Sequence, residues 1–432
     1  MSISRQNIPL FIAFRVLFNA RWYYPVMAIL FLDFGLSLEQ YALLNVAWAV
    51  CIVCLEVPSG ALADRIGRRR MVILAAVFMV MEMVFFAFAP MGSTWLFPIL
   101  LLNRILSGAA EACASGADES LAYDSLRAEG REAEWPAVLA RLMRWQSFGF
   151  FVAMLLGAAV YDHELVQRAL GFVGANVQVS HETTLRWPLY LTLANSVVAL
   201  FVTLRMREPE VPTSHETPAG QGTWQQIIGA GRWILRTPLV LFVILAGLCL
   251  DSVIRLFLTV GSNYYRLIEL PEASFGVISS ASAVLGIFTP RLALLMLGKR
   301  TMVANFVSAA LFAFAGLCGA AFFYPIWGVL VMIPFGVAMS LVQIFLSHYL
   351  NQLVTDSSQR ATVLSFKGLS FNLAYGGMGL LFAGFTRTRL GSGSQDAIFI
   401  EAIRWLPWFF ALLVAVLAVV SIKLLAGKRS GT

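Results

Sequence analysis

The chain has 432 residues, of which 59% are hydrophobic and only 13% charged. A soluble domain cannot hide that much apolar surface, so the composition excludes one and leaves a membrane protein in a lipid bilayer. The net charge of +7 would suggest nucleic acid in a soluble protein, but here the basic residues fall in short segments between apolar runs, where they set topology; no nucleic-acid partner is expected.

A spanning helix needs about 20 mostly apolar residues. Twelve runs meet that length: 9–33, 40–62, 71–90, 94–122, 137–161, 184–205, 238–264, 273–297, 301–323, 326–352, 360–386 and 398–424. Few polar residues precede the first run and no small-residue cleavage site follows it, so it is expected to be retained rather than removed as a signal peptide. Cys51, Cys54, Cys113, Cys249 and Cys318 all sit inside runs, which argues against a disulfide framework. Cys51-x-x-Cys54 has the spacing of a metal or redox pair but no nearby histidine, and helix packing accounts for it. No metal and no cofactor are expected.

Between the second and third runs stands Gly60-Ala61-Leu62-Ala63-Asp64-Arg65-Ile66-Gly67-Arg68-Arg69-Arg70, eleven residues with five charges. Such a segment cannot lie in hydrocarbon, so a tight loop at a membrane surface is expected, and its four arginines assign that surface to the cytoplasm. Gly60, Leu62, Asp64, Arg65, Gly67, Arg68 and Arg69 resemble the loop between the second and third helices of the major facilitator superfamily of secondary transporters. Arg104-x-x-x-Gly108 in the fourth run resembles that superfamily's fourth-helix motif, whose arginine is implicated in proton coupling.

The resemblance implies an all-α membrane protein of twelve transmembrane helices in two six-helix halves, acting by alternating access and not as an enzyme. The segment 206–236 holds Pro209, Pro212, Pro218, Gly220 and Gly222 and divides the chain into an N-terminal half, 1–205, a cytoplasmic linker and a C-terminal half, 237–432. Trp224, Ile227, Ile228, Trp233 and Ile234 suggest a short amphipathic helix at the inner interface within that linker. Gly286, Pro290, Arg291, Gly298, Lys299 and Arg300 form a worn copy of the first loop, without its aspartate.

Counting from the arginine loop places both termini in the cytoplasm. Expected inside segments carry Arg127, Arg131, Arg205, Arg207, Arg232, Arg236, Lys299, Arg300, Arg360, Lys423, Lys428 and Arg429; outside ones mix a few arginines with Asp162, Glu164, Glu182, Glu269, Glu272 and Asp396. A bacterial inner membrane is the expected location. The outside segment 162–183 has no role that its residues suggest.

Charges inside the runs need a reason, since each costs ~2.5–3.5 kcal/mol at mid-membrane on insertion scales. They are Arg15, Arg21, Glu56, Arg104, Glu111, Asp118, Glu119, Arg141, Arg144, Asp251, Arg255, Arg291 and Lys367, eight basic and five acidic. Arg104, Gly108, Glu111, Ser115 and Asp118 recur at helical spacing and form one polar stripe. Arg104 can alternatively pair with Glu111 or a backbone carbonyl to hold the bundle. Asp251 and Arg255, four apart, either pair locally as a neutral unit or leave Asp251 to titrate. Glu111 and Asp251 are the candidate proton carriers. Asn19, Gln343, Lys367 and Asn372 join Arg21, Arg104, Glu111, Asp251 and Arg255 as candidate substrate or coupling groups, or serve as helix-helix hydrogen-bond partners.

Gly60, Asp64, Arg65, Gly67, Arg68, Glu119 and Asp124 form the candidate cytoplasmic gate. By resemblance Asp124 meets Arg68, and Asp64 faces the start of the eleventh helix, where Ser357 and Ser358 can cap it. Glu56, Arg141 and Arg144 belong to that gate or reach the interface.

The resulting expectation is a monomer that exports small amphipathic organic compounds in exchange for protons. Proton-coupled uptake of an organic anion is the alternative, favoured by the excess of basic residues. The fifth run has Gly149 and Gly157 but lacks the glycine-proline motif usual in drug and proton antiporters of the superfamily. His163, His181, His215 and His348 form no cluster of the kind a membrane-embedded enzyme would need, and a static scaffold would not need a breakable gate.

Overall fold

The computed structural model describes residues 2–175, 177–209, 221–354, 357–391 and 393–426, with only the backbone at 221–227, 230, 282–284, 287, 357–362 and 423–426. Ser357 and Ser358 as caps for Asp64, Trp224 and Ile227 in the linker helix, the Lys423 side chain, and Pro212, His215, Pro218, Gly220, Lys428 and Arg429 lie outside what is described.

Eighteen α-helices and no strand occur among the described residues. The first crossing combines α1 (Ile3–Asn19) and α2 (Met27–Asp33); α3 (Leu38–Ile66) and α4 (Arg68–Ala87) are the next two. A fourth is built from α5 (Leu96–Ala114) and α6 (Ala117–Arg127), and α7 (Trp135–Tyr161) is the fifth. After the short α8 (His163–Phe172) and α9 (His181–Thr184), the sixth crossing is α10 (Trp187–Leu204), and α11 (Gln221–Arg236) lies in the linker. The second half has α12 (Pro238–Thr259) with α13 (Gly261–Leu267), then α14 (Ser274–Lys299), α15 (Met302–Ala320), α16 (Met332–Leu353), α17 (Ser357–Arg387) and α18 (Gln395–Ala426). Among the described residues, nine helical segments are individually long and apolar enough to cross a bilayer.

Four expected elements differ from the observed ones, one of them the seventh run, 238–264, which is divided between α12 and α13 at Val260. The first run is not one helix: α1 stops at Asn19, and the chain resumes through a 3-10 turn at Tyr24–Val26 that contains Pro25, which cannot donate to a continuing helix. The fourth run breaks at Gly116, whose φ of 74° is left-handed, so its polar stripe is split between α5 and α6. The arginine loop is far shorter than eleven residues. Helix α3 continues through Asp64 and Arg65 to Ile66, and Gly67 alone, with φ 97°, turns the chain into α4.

The chain divides into two compact units. The first comprises Met1–Leu36, Ala47–Gly222 and Pro271–Ser280; the second comprises Ser37–Val46, Thr223–Leu270 and Ala281–Thr432. Small residues build the interior of the first: Ala75 and Ala76 of α4 meet Ala110, Cys113 and Ala114 of α5 and Ala117 of α6, with Phe14, Phe18, Met71 and Met79 filling the remaining space. In lipid the apolar effect does not favour one helix face over another, so such close contact is what holds the helices together. Among the long apolar helices of the second unit fit to cross a bilayer, α12 is the most enclosed. Its Phe257 stacks on Phe335 of α16 with ring centroids 4.4 Å apart. Gly247 of the same helix sits where a Cβ would meet Leu346 and Phe371 side-chain atoms at 2.6–2.9 Å.

Candidate functional site

At the end of the first unit that carries Gly67, a web of charged groups surrounds the start of α4. The first amides of a helix have no partner within it and carry partial positive charge. Here Glu208, four residues beyond α10, receives the Arg68 N–H at 3.0 Å and the Arg69 N–H at 2.7 Å on its two oxygens. Gly67 makes this possible twice over, by its left-handed φ and by lacking a Cβ that would stand 3.2 Å from Glu208 Oε2. The Arg68 guanidinium pairs with Asp124 of α6, the contact that the resemblance implies. Arg69 donates instead to the carbonyls of Met206 at 2.6 Å and Leu204 at 3.0 Å.

The other residues of the expected gate do less here. Asp64 and Arg65 are exposed on the last turn of α3. No described atom lies within 4 Å of a Cβ placed on Gly60. Glu119 approaches Arg15 at 3.4 Å. Nearby, the chain's start is stitched down. Asn7 Nδ2 donates to Ser125 Oγ and to the Arg207 carbonyl, and Ser4 binds Glu129 through both its amide and its hydroxyl. Those two Ser4 hydrogen bonds, helped by Ser2 and Arg131, hold the Glu129 carboxyl down to about 2.

Inside the first unit the break at 20–23 is built from four helices. Asn195 of α10 donates to the carbonyls of Leu17 and Ala20, both at 3.0 Å, and Thr192 Oγ1 accepts the Trp22 N–H at 3.1 Å. From α7, Gly157 approaches so closely that a Cβ would stand 1.8 Å from the Trp22 carbonyl oxygen. Arg21 turns inward to an ion pair with Glu82 of α4, both almost completely buried. Asn103 of α5 donates to the Glu82 carbonyl at 2.7 Å. The Leu17 and Ala20 carbonyls and the Trp22 N–H thus find side-chain partners on α10, as an interruption at membrane depth requires.

Of the expected coupling residues in this unit, Arg21 is therefore committed to Glu82, and Asn19 donates to the Arg15 carbonyl of its own helix at 2.8 Å. Arg15 pairs with Asp118 of α6. Arg104 lies over the Trp48 ring of α3, 5.5 Å from its centroid, and Gly108 one turn on lets α5 approach α3, since a Cβ there would stand 2.9 Å from Cys51 Cβ. Glu111 differs from its neighbours. It is half-buried, and among the described residues its carboxylate makes neither a hydrogen bond nor an ion pair.

Four expected residues of the second unit come together in one network. Asp251 and Arg255 of α12 pair at 2.8 Å across one helical turn. Gln343 of α16 donates to Asp251 Oδ1 at 3.3 Å, and Arg255 donates to Asn372 Oδ1 of α17 at 3.3 Å. The Arg255 guanidinium also faces the Tyr375 ring at 5.5 Å, whose hydroxyl lies 3.0 Å from Thr259 Oγ1. Lys367 lies over the Phe371 ring, 5.8 Å from its centroid, and its charge is felt by Asp251.

Sequence reasoning missed Glu82 and Glu208. One carboxylate among nineteen other residues of an apolar run, and one in a linker, carry no pattern that singles them out. Glu208 immediately precedes Pro209, in a segment whose prolines and glycines read only as a linker. All five cysteines are free; Cys51 Sγ donates to the Ile105 carbonyl at 3.2 Å, which accords with a packing role.

Residues 10–358 match the model of the Major Facilitator Superfamily. No curated protein matches the chain. Among solved structures, a single-site variant of the nucleoside transporter NupG superposes with a TM-score of 0.74 at 13% identity, covering 97% of this chain and 99% of its own. A bacterial homologue of the human lysosomal transporter Spinster, in an inward-facing and unoccupied conformation, gives 0.72 at 15% identity, with 98% and 97% covered. At these identities the likeness carries the fold alone, and the family follows from the sequence match over most of the chain. The chain belongs to the Major Facilitator Superfamily, as a multi-pass membrane transporter of twelve crossings in two six-helix halves and not an enzyme.

Proposed function

We propose that this secondary transporter exchanges protons for a small amphipathic organic compound, exporting it from the cytoplasm, with both termini on the cytoplasmic side of a bacterial inner membrane. The observation that carries the reading is the state of Glu111. Three other acids in the membrane interior are already committed, Glu82 to Arg21, Asp118 to Arg15 and Asp251 to Arg255, while Glu56, half-buried near the Gly67 end of α3, goes with the expected gate. Glu111 is left as a half-buried carboxylate without such a partner among the described residues, and an intramembrane ionisable group in that condition is a functional group by default. It takes the proton in one orientation of the transporter and releases it in the other.

Uptake of an organic anion has less support. The count of interior charges that favours it leaves out Glu82, and three of the eight basic residues, Arg15, Arg21 and Arg255, are neutralised by carboxylates in their own unit. The Arg68, Asp124 and Glu208 web serves as the cytoplasmic lock, with Gly60, Asp64, Arg65, Gly67 and Glu119 around it. The protein works as a monomer.

The test is luminal pH in proteoliposomes holding the purified protein while cationic, zwitterionic and anionic amphipathic compounds are added in turn. Proton movement opposite to a cationic or neutral compound is expected. Protons accompanying an anionic compound in the same direction would favour uptake, and a labelled compound crossing with no proton movement would remove proton coupling altogether.

A further inference from the structure

At the end of the first unit opposite Gly67, the segment between α7 and α10 is tied down by groups that the transport reading does not use. Tyr161, the last residue of α7, donates its hydroxyl to Asp33 at the end of α2, and its carbonyl accepts from Thr184 Oγ1 of α9 at 2.9 Å. His181, the first residue of α9, places Nε2 3.1 Å from the same Asp33 oxygen. Its ring stands edge-on to Tyr161 and to His163 of α8, with centroids 5.3 and 5.6 Å away. Next to Tyr161, Asp162 accepts the Leu165 N–H at 2.9 Å, starting α8, and holds the Ala273 N–H on its other oxygen at 3.0 Å. Ala273 belongs to Pro271–Ser280, which packs with this unit. Three residues on, Gly276 meets α7 so closely that a Cβ would stand 2.3 Å from the Met154 carbonyl oxygen.

We propose that Asp33, Tyr161 and His181 form an outward-facing proton-binding site that sets how firmly Asp162 holds Ala273. An imidazole ordinarily titrates near about 6.5. When His181 is neutral, its contact with Asp33 is at most a single hydrogen bond. When it is protonated, the contact becomes an ion pair on a carboxylate that also accepts from Tyr161, and a charge-assisted hydrogen bond is the stronger of the two. The His181 and Asp33 side chains are 35% and 18% exposed, so protons reach the pair directly and water weakens it to the few-fold effect of a surface pair.

The sign follows from the pairing. A group that gains a carboxylate partner contributes most below its ordinary titration range, and the contribution fades as pH rises through that range. On the acid side, His181 pins α9 to the end of α2, Thr184 on α9 keeps the Tyr161 carbonyl, and the adjacent Asp162 keeps Ala273. The surrounding charges act in known directions. His163 is the other imidazole ring against His181, its centroid 5.6 Å away. Glu164 of α8 and Glu182 of α9 are exposed and favour protonation weakly through water. From the segment entering α10, Arg186 is occupied by the Ala87 and Ala89 carbonyls and the Phe34 ring. This site does not require that transport be coupled to protons at Glu111.

Hydrogen–deuterium exchange on the full chain in lipid nanodiscs tests it without knowledge of the solute. After correction for the intrinsic pH dependence of amide exchange, a peptide spanning 271–276 should exchange about threefold more slowly near about pH 5.5 than near about pH 8. His181→Gln and Asp33→Asn should each abolish that difference, His163→Gln should keep it, and the peptide around Gly67 should show none of it. Equal protection of 271–276 at both pH values in the wild type would overturn the proposal, as would a His181→Gln protein that keeps the wild-type difference.

Discussion

The two units handle interior charge in opposite ways. In the second, one salt bridge on α12 is extended by Gln343 and Asn372 into a single network across three helices, and its Arg255 remains 28% exposed. In the first, charges are paired off in separate places: Arg21 with Glu82 beside the break, Arg15 with Asp118 near α6, and Arg68 with Asp124 at the gate. That dispersal leaves Glu111 over, with Glu56 toward the gate. A network absorbs its acid, whereas isolated pairs can leave one free to carry a proton, and on this difference rests the proposal that coupling lies in the first unit.

The comparison predicts its largest effect at the most deeply buried pair. Glu82→Gln strands the Arg21 charge in a site without water, and breaking such a pair costs ~3–5 kcal/mol, read as a large fall in the thermal unfolding midpoint and in monodisperse yield. Replacing both, Arg21→Met with Glu82→Leu, should recover most of that loss. Asp251→Asn in the second unit should cost less than Glu82→Gln, since Arg255 keeps Asn372, the Tyr375 ring and access to water. Equal losses for Glu82→Gln and Asp251→Asn would erase the proposed difference between the units.

Close backbone approach sharpens the contrast at intermediate size. Gly157→Ala drives a methyl into the Trp22 carbonyl, which is held by the break and cannot yield, and over-packing of this kind costs ~1–3 kcal/mol or more. Gly247→Ala in the second unit meets only the ends of Leu346 and Phe371, so a smaller loss of thermal stability is expected there. The smallest effect belongs to Glu129. Its carboxyl is held down to about 2 by Ser4, so its contribution is present above the ordinary carboxylate value near about 4.3 and is lost as pH falls toward 2. Glu129→Gln should lower the unfolding midpoint slightly at neutral pH and flatten its acid limb between about pH 6 and about pH 3, the difference from wild type shrinking as pH falls.

The crossings, the arginine turn and the Asp251 and Arg255 pair were legible because they depend on patterns the sequence displays: apolar length, loop charge and a four-residue spacing. Glu82 was not, because a lone acid inside the run 71–90 changes its mean apolarity little, and its meaning comes only from Arg21, sixty-one positions earlier. The break at 20–23 was only partly legible: Pro25 is a local sign of it, but Thr192, Asn195 and Gly157, which hold it, lie on distant helices. Glu208 illustrates the same limit in a linker, where Pro209 suggested only flexibility. In each case the deciding partner is remote in sequence, and local pattern carries no information about it.

Two variants compared in one assay test the assignment of coupling most directly: Glu111→Gln and Asp251→Asn, each measured for solute counterflow and for solute-driven proton movement in the same proteoliposomes. The account predicts that Glu111→Gln keeps counterflow while its proton movement falls by roughly tenfold or more, and that Asp251→Asn changes the two together. Proton movement surviving in Glu111→Gln, with Asp251→Asn as the variant that separates the two activities, would place the carrier in the second unit and contradict it.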